Sequence, residues 1–271
     1  MDVLQILFLA LVQGITEFLP VSSSAHLILP SAFTDWPDQG LAFDVAVHLG
    51  SLLAVSLYFR HTLLGLSTSA WSAVRSGGAQ LDDNVWLIAK VGVATLPTVV
   101  AGLLLKDVIE AELRSISVIA ITTVLFGVLL WVADRRRSFA YSDERDIPWW
   151  PAILIGLAQV LALVPGTSRS GITITAALFL AVAPAAAARF SFLLSLPTIA
   201  GAALLTSLDL LETGVDTRWS DLFWGFALSA VAAYIAIGFF LRLLDRTGMT
   251  PYVIYRLLLG AVLAAIVWGW I

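Results

Sequence analysis

The amino-acid sequence predicts an all-α integral membrane protein with six transmembrane helices and two re-entrant helical hairpins, arranged as an inverted-topology repeat. Three observations lead to this prediction: an apolar composition, six uninterrupted apolar stretches, and two apolar stretches that each contain a polar break. Of the 271 residues, 59% are hydrophobic and only 13% are charged, whereas a soluble domain carries roughly 25% charged residues. The chain therefore has too little charge to cover a soluble surface.

Six apolar stretches are long enough to cross a bilayer, which requires about 20 mainly apolar residues. They are residues 41–59, 85–105, 116–133, 186–206, 222–241 and 252–271. Tryptophans near the ends of these stretches, such as Trp36, Trp86 and Trp131, are typical of membrane–water interfaces. We expect residues 72–84 and 134–147 to form loops between the spans, and residues 207–221 to form an external loop.

Two further apolar regions are interrupted, so neither predicts a simple span. Pro20 and the run Ser22-Ser23-Ser24 interrupt residues 3–33, and Pro165-Gly166-Thr167-Ser168-Arg169-Ser170-Gly171 interrupts residues 149–182. Irregular backbone at membrane depth is tolerated only where it is buried in protein or lines a water-filled cavity. We therefore expect both regions to form re-entrant hairpins.

The two interrupted regions resemble each other, and each is followed by three spans. A glutamine, Gln13 or Gln159, lies seven or six residues before the proline of each break. Three spans per half invert the second half relative to the first, as in many transport folds whose sites lie at the midplane. We expect one membrane domain over residues 1–271, with repeat halves at about 1–133 and 149–271. The alternative is a chance similarity between two polar breaks.

The distribution of Lys and Arg predicts the orientation, because cytoplasmic loops carry more of them. One side of the membrane receives Arg60, Arg75, Arg135, Arg136, Arg137, Arg145, Arg242 and Arg246, and the other receives Lys106, Arg114 and Arg218. The first side is therefore expected to be cytoplasmic. Both termini and the entrance of the first hairpin are then expected outside.

Three ionisable residues in the interrupted regions, Glu17, His26 and Arg169, are the first candidates for function, because charge inside a membrane is costly unless it is paired or hydrated. The breaks add hydroxyl groups at Ser22, Ser23, Ser24, Thr167, Ser168 and Ser170. Gln13 shares a helix face with Glu17, and Gly166 frees the second break for close approach to a ligand. Because guanidinium groups match phosphate oxygens, the pattern indicates an anion site, with phosphate as the natural anion.

Each candidate also has a structural interpretation. Buried hydroxyls in membrane helices often form hydrogen bonds between helices. Glu17 and Arg169 could form a structural ion pair between the two halves. His26 could be an interior histidine with a structural hydrogen bond. His48, on an otherwise apolar span, is more typical of packing than of catalysis. Two similar stretches, Thr95-Leu96-Pro97-Thr98 and Ser195-Leu196-Pro197-Thr198, are interpreted as structural kinks.

Three motifs give the chain a resemblance to a known family. They are Gln13-Gly14-Ile15-Thr16-Glu17-Phe18-Leu19-Pro20-Val21-Ser22-Ser23-Ser24-Ala25-His26, then Pro165-Gly166-Thr167-Ser168-Arg169-Ser170-Gly171, then Arg189-Phe190-Ser191-Phe192-Leu193-Leu194-Ser195-Leu196-Pro197-Thr198. In this order and spacing they resemble the undecaprenyl-diphosphate phosphatase family of the bacitracin-resistance type. The sequence departs from the family at Gln13, where glutamate is frequent, and at Ala25, where glycine is usual.

The resemblance implies a bacterial inner-membrane enzyme that converts undecaprenyl diphosphate to the monophosphate carrier of cell-wall synthesis. It also implies six spans with two re-entrant hairpins, a site that opens to the periplasm, and a divalent cation, Mg²⁺ or Ca²⁺, near Glu17 with Gln13 as a second candidate ligand. The motif residues that carry over are Glu17, Ser22, Ser23, Ser24, His26, Thr167, Ser168 and Arg169. The expected partners are a polyprenyl diphosphate and membrane lipid, with a homodimer permitted. The net charge of −4 argues against nucleic acid.

The preferred mechanism has Arg169 holding the diphosphate with Ser22, Ser24, Gly166, Thr167, Ser168 and Ser170, while Ser23 attacks the terminal phosphorus. His26 or Glu17 would transfer the proton. Direct attack by water is equally compatible with these residues. The rival function is a lipid-phosphate transporter, which needs anion binders but no acid–base pair. A lipid phosphatase of the soluble acid-phosphatase type is disfavoured, because the chain lacks its Lys/Arg-rich signature.

Overall fold

Eleven α-helices and one 3₁₀-helix make up the regular structure over residues 1–135, 138–213 and 218–269, which the computed structural model describes. They are α1 (Val3–Phe18), α2 (Ser23–Phe33), α3 (Leu41–Tyr58), α4 (Arg60–Arg75), α5 (Asp83–Glu112), α6 (Ile116–Asp134), α7 (Trp149–Gln159), the 3₁₀-helix (Val160–Leu163), α8 (Arg169–Phe179), α9 (Pro184–Thr213), α10 (Trp219–Thr247) and α11 (Thr250–Val267). Two arginines counted for the topology, Arg136 and Arg137, and the last two residues of the predicted span 252–271 lie outside the described residues.

All six predicted spans are confirmed as helices that are long and apolar enough to cross a membrane. Within the described ranges these segments are Leu41–Tyr58, Asp83–Lys106, Ile116–Asp134, Pro184–Leu210, Trp219–Thr247 and Thr250–Val267. The remaining apolar helices, Val3–Phe18 and Trp149–Leu163, are shorter, as the polar breaks that follow them require. The chain is thus an all-helical, multi-pass membrane protein.

Several of these helices are capped at the N-terminus by the side chain of a short polar residue. The Asp2 carboxylate accepts from the backbone N–H of Leu4 and Gln5, and the Asp82 carboxylate accepts from that of Val85 at 3.0 Å. Ser115 Oγ caps α6 in the same way. Such caps satisfy N–H groups that the first helical turn leaves without a partner.

Helix α4 is the main difference from the sequence prediction. Residues 72–84 were expected to form a loop, but α4 continues to Arg75, so the first four of them are helical. Helix α10 likewise runs from Trp219 to Thr247, beyond the predicted limits of 222–241. Helix α9 continues to Thr213, so both ends of the predicted external loop 207–221 are helical. Apolar length indicates only the part of a helix inside the bilayer, whereas helical backbone continues into the polar residues at its ends.

Close backbone contacts hold α10 against α1 and α3. A Cβ atom on Gly14 would lie 2.5 Å from the Ser229 carbonyl oxygen, and one on Gly50 would collide with the Phe226 carbonyl oxygen. Ser51 on α3 adds a hydroxyl–hydroxyl contact of 3.1 Å to Ser229. Small residues at such contacts let membrane helices approach closely, where packing rather than the hydrophobic effect drives association.

A cluster of aromatic rings packs beside the first break. Phe18, the last residue of α1, packs edge-on against Phe192 of α9 with ring centroids 5.3 Å apart, and Phe192 also contacts Phe59 and Phe240. All four rings are buried. The guanidinium of Arg169, the first residue of α8, lies 5.9 Å from the centroid of the Phe18 ring, so the end of α1 is close to the start of α8.

Candidate active site

The two polar breaks have the same local geometry. In the first, α1 ends at Phe18 and α2 begins at Ser23, and Ser22 between them has φ of +75°. In the second, Ser168 precedes α8 with φ of +72°. A positive φ is uncommon for a residue other than glycine and costs on the order of 1–3 kcal/mol, and such residues cluster at functional sites.

Side-chain contacts within the breaks repeat this similarity. The Ser22 and Ser24 hydroxyl oxygens are 3.2 Å apart, and those of Ser168 and Ser170 are 3.3 Å apart. Ser168 Oγ also accepts a hydrogen bond from the backbone N–H of Gly171 at 3.1 Å. Each break therefore presents a serine pair at the start of the helix that follows it.

The Glu17 carboxylate contacts side chains from both breaks. Its Oε1 accepts from Arg169 Nη2 at 2.9 Å, and its Oε2 accepts from Ser23 Oγ at 2.6 Å and from Gln13 Nε2 at 2.9 Å. The Glu17 side chain is 7% exposed and that of Arg169 is 12% exposed. The structure thus brings together the carboxylate, the guanidinium and one of the hydroxyls that the sequence predicted.

These groups face a cavity of about 300 Å³, which lies at the lower end of the range for ligand pockets. The polar lining residues are Glu17, Ser22, Ser23, Ser24, Asp44, His48, Thr98, Gln159, Ser168, Arg169, Thr198 and Thr206, and the apolar ones include Leu41, Val45, Leu163, Ile199 and Ala203. A polar region beside an apolar wall suits an amphiphilic ligand with a charged head group.

His26 does not line this cavity. Its Nδ1 lies 2.6 Å from the Ser22 carbonyl oxygen and its Nε2 lies 2.5 Å from the Tyr255 hydroxyl. Because a carbonyl oxygen only accepts, Nδ1 carries a proton, and in the neutral ring Nε2 accepts from the Tyr255 hydroxyl. His26 therefore contacts the backbone of the first break, while Glu17 contacts Ser23.

Three predicted substrate-binding residues of the second break lie behind the cavity wall. Ser170 Oγ donates to the Leu19 carbonyl at 2.9 Å and so joins the two breaks. Thr167 is fully buried, and a Cβ atom on Gly166 would lie 2.7 Å from the Ile119 carbonyl oxygen. The absence of a side chain at Gly166 therefore allows the break to approach α6.

Arg256 is a buried residue that the sequence analysis missed. It lies on α11 with 0% exposure. Its guanidinium donates to the carbonyl oxygens of Pro20 (3.2 Å), Thr122 (3.4 Å), Thr123 (3.1 Å), Gly166 (2.9 Å) and Thr167 (2.9 Å). It thereby joins both breaks to α6. The available signal was a single arginine inside an apolar span, which by itself indicates a function.

His48 is a second residue that the structure places differently from the sequence interpretation. The sequence favoured a packing role, but His48 lines the cavity. Its Nδ1 lies 2.7 Å from the Asp44 carbonyl oxygen, and its Nε2 lies 3.7 Å from Glu17 Oε2. The four-residue spacing of Asp44 and His48 placed both on one helix face, and this was the signal available in the sequence.

The site offers two oxygen-bearing side chains to a divalent cation, Glu17 and Gln13. Over the ranges that the structure describes, no three His, Cys, Asp or Glu residues form a group able to hold a metal. Beside Glu17, however, Gln13 Oε1 is a buried oxygen without a hydrogen-bond partner. Mg²⁺ is usually held by one or two carboxylates together with substrate phosphates. Glu17 and Gln13 therefore fit a cation whose other ligands come from a phosphorylated substrate.

Comparison with known proteins identifies the family of the chain. The family described as Bacitracin resistance protein BacA matches residues 6–262. The chain is similar to a protein from Alcanivorax borkumensis named undecaprenyl-diphosphatase, with 56% identity over 263 residues, which cover 97% of this chain and 98% of that protein. The chain therefore belongs to the bacitracin resistance protein family BacA.

Proposed function

We propose that this protein hydrolyses undecaprenyl diphosphate to undecaprenyl phosphate and inorganic phosphate, and so recycles the lipid carrier of cell-wall synthesis. The observation that carries the proposal is the hydrogen bond from Ser23 to Glu17 beside Arg169, in a cavity with an apolar wall. A hydroxyl that donates to a buried carboxylate is the arrangement of a nucleophile beside its general base. The name of the relative from Alcanivorax borkumensis supports the same substrate.

In the first step Arg169 binds the terminal phosphate and Ser23 attacks its phosphorus. The Ser23 proton passes to Glu17 over 2.6 Å, the Oγ–P bond forms, and the bond from phosphorus to the bridging oxygen breaks. The lipid monophosphate leaves, water then cleaves the phosphoserine into inorganic phosphate and free Ser23, and Glu17 releases its proton to solvent. The second route that the same geometry allows is direct attack by a water that Glu17 deprotonates.

His26 acts in this proposal through the backbone of the first break. Its Nδ1 forms a hydrogen bond with the Ser22 carbonyl oxygen, and its Nε2 forms one with the Tyr255 hydroxyl. Ser22 is the residue with positive φ that directs α2, and hence Ser23, toward the cavity. His26 is thus a positioning residue for Ser23.

A divalent cation, Mg²⁺ or Ca²⁺, is part of the proposal. Glu17 and Gln13 would hold it, and it would neutralise charge on the diphosphate. In both routes Glu17 takes the proton of the attacking group, and anion binding depends on Arg169.

We further propose that the two breaks are the tips of re-entrant hairpins in an inverted repeat of a bacterial inner-membrane protein. The shared geometry of Ser22 and Ser168 supports the repeat. The Arg asymmetry of the loops supports a site that opens to the periplasm. The homodimer stays a prediction.

Transport of a lipid phosphate is less well supported than hydrolysis. A transporter needs groups that bind an anion, such as Arg169, but it has no use for a serine hydroxyl that donates to a carboxylate. The contact between Ser23 and Glu17 therefore favours the enzyme.

The proposal is tested by phosphate release from undecaprenyl diphosphate with purified protein in detergent, with and without a chelator. We expect multiple turnovers, inhibition by the chelator and recovery on addition of Mg²⁺ or Ca²⁺. No phosphate release under any metal condition, with binding of the lipid retained, would favour the transporter. Full turnover in the chelator would remove the cation from the proposal.

A further inference from the structure

A neutral polar cluster in the same cavity takes no part in the chemistry proposed above. It consists of Gln159 at the end of α7, Thr98 on α5 and Thr198 on α9, and all three line the cavity with Glu17 and Arg169. Gln159 is fully buried and Thr98 is 6% exposed. The sequence motifs around Thr98 and Thr198, interpreted above as kinks, thus converge on one glutamine.

The hydrogen bonds of Thr198 fix the orientation of the glutamine amide. Thr198 Oγ1 donates its only proton to the Leu194 carbonyl at 2.8 Å, so a group facing this hydroxyl oxygen must be a donor. Gln159 Nε2 is that donor, at 3.4 Å, and it also donates to Thr98 Oγ1 at 3.0 Å. Gln159 Oε1 is therefore turned away from both threonines.

This arrangement leaves one acceptor and one donor without protein partners. Gln159 Oε1 is buried and accepts no hydrogen bond. The Thr98 hydroxyl accepts from Gln159 and donates to no other group in the described part of the chain. A buried polar atom without a partner is unfavourable, and such atoms in native structures call for an explanation such as a ligand.

Comparison with the first half of the chain indicates what this ligand is. Gln13 precedes Glu17 by four residues and donates to its carboxylate, whereas the residue four positions after Gln159 is Leu163. Gln159 thus contacts neutral hydroxyl groups, whereas Gln13 contacts a carboxylate. A phosphoryl group that carries a proton fits a neutral set with one acceptor and one donor. Its P–OH would donate to Gln159 Oε1, and an unprotonated oxygen would accept from Thr98.

We propose that Gln159 and Thr98, with Thr198 fixing the orientation of the glutamine amide, form a second phosphoryl-binding subsite, which takes a singly protonated phosphate group beside the phosphate held by Arg169. The inference rests on the proposed function, because a diphosphate brings two phosphoryl groups into one cavity. The occupant is either inorganic phosphate, the released product, or the phosphate that remains on the lipid carrier.

The test is calorimetric binding of two probes, inorganic phosphate and farnesyl phosphate, to the full-length protein in detergent. Wild type is compared with Thr98→Val and Gln159→Met, which keep the approximate shape of each side chain. Thr95→Val is the matched control, because Thr95 is buried on the same helix and donates to the Val91 carbonyl instead. Melting temperatures without ligand are measured for every variant.

We expect Thr98→Val and Gln159→Met to weaken binding of one probe by roughly tenfold, as the loss of a hydrogen bond to a charged group predicts, while Thr95→Val binds like wild type. Weaker binding of inorganic phosphate alone assigns the subsite to the released product, and weaker binding of farnesyl phosphate assigns it to the carrier. Variants that lower the melting temperature but bind both probes like wild type would overturn the subsite, as would a wild type that binds neither. Turnover of undecaprenyl diphosphate by wild type, measured separately, decides the proposed function.

Discussion

Replacement of Arg256 tests whether this residue holds the two breaks in place. Of the five carbonyl groups that it contacts, three belong to the breaks, at Pro20, Gly166 and Thr167. These three lie outside helices. Arg256→Met leaves the Pro20 and Thr167 carbonyls without a donor, and the Gly166 carbonyl with only the Thr123 hydroxyl at 3.5 Å. At about 1–3 kcal/mol for each unsatisfied group, the variant loses about 3 kcal/mol or more of stability.

Arg256→Lys provides a graded variant of the same experiment. An ammonium group has three donors, so it cannot replace all five hydrogen bonds of Arg256. We expect a stability between those of wild type and Arg256→Met. The control is Arg242→Met, which removes an exposed arginine from α10.

The assay is thermal unfolding in detergent together with phosphate release. A loss of about 3 kcal/mol corresponds to a decrease in melting temperature of roughly 6 °C or more. Because misplacement of reacting groups by about 1 Å costs on the order of 10²-fold in rate, turnover should fall with it. A melting temperature of Arg256→Met equal to that of the Arg242→Met control would refute this account of Arg256.

Three further predictions follow from the packing, charge and topology. Arg169→Lys should lower turnover by at least about tenfold, because a single ammonium cannot replace the planar guanidinium between Glu17 and the phosphate; near-normal turnover would indicate a purely structural ion pair. Gly50→Leu should lower the melting temperature, because its Cβ collides with backbone of α10 and overpacking costs roughly 1–3 kcal/mol, whereas Gly92→Leu, with open space around it, should not. Ser138→Cys in this cysteine-free chain should resist an impermeant thiol reagent in intact cells, and labelling would reverse the proposed orientation.

The spans and the centre of the site were predictable because their signals are local. Twenty apolar residues in a row identify a span wherever it packs. Glu17 and Arg169 stood out because ionisable residues beside breaks in apolar segments are rare. Their pairing could be expected once the two breaks were assumed to meet, and the structure places them 2.9 Å apart.

The remainder of the site depends on which face of a distant helix packs toward the two breaks. In a helix that is apolar on all sides, the periodicity of the sequence does not indicate that face. Arg256 and His48 lie on predicted spans, and only the packing of α11 and α3 shows that they point to the breaks. Gly166 was expected to allow close approach of a ligand, whereas in the structure it allows close approach of the α6 backbone. Helix α4 was not predicted because it has a polar face, and the search for apolar stretches does not detect such a helix.

The turnover of Glu17→Gln tests the central claim most directly. Glutamine keeps the size of the side chain but cannot accept the Ser23 proton, and general bases contribute about 10²–10⁴-fold in rate. Phosphate release from undecaprenyl diphosphate should therefore fall by at least roughly 10²-fold, with the melting temperature measured as a control for folding. A folded Glu17→Gln protein with wild-type turnover would contradict the assignment of Glu17 as the general base.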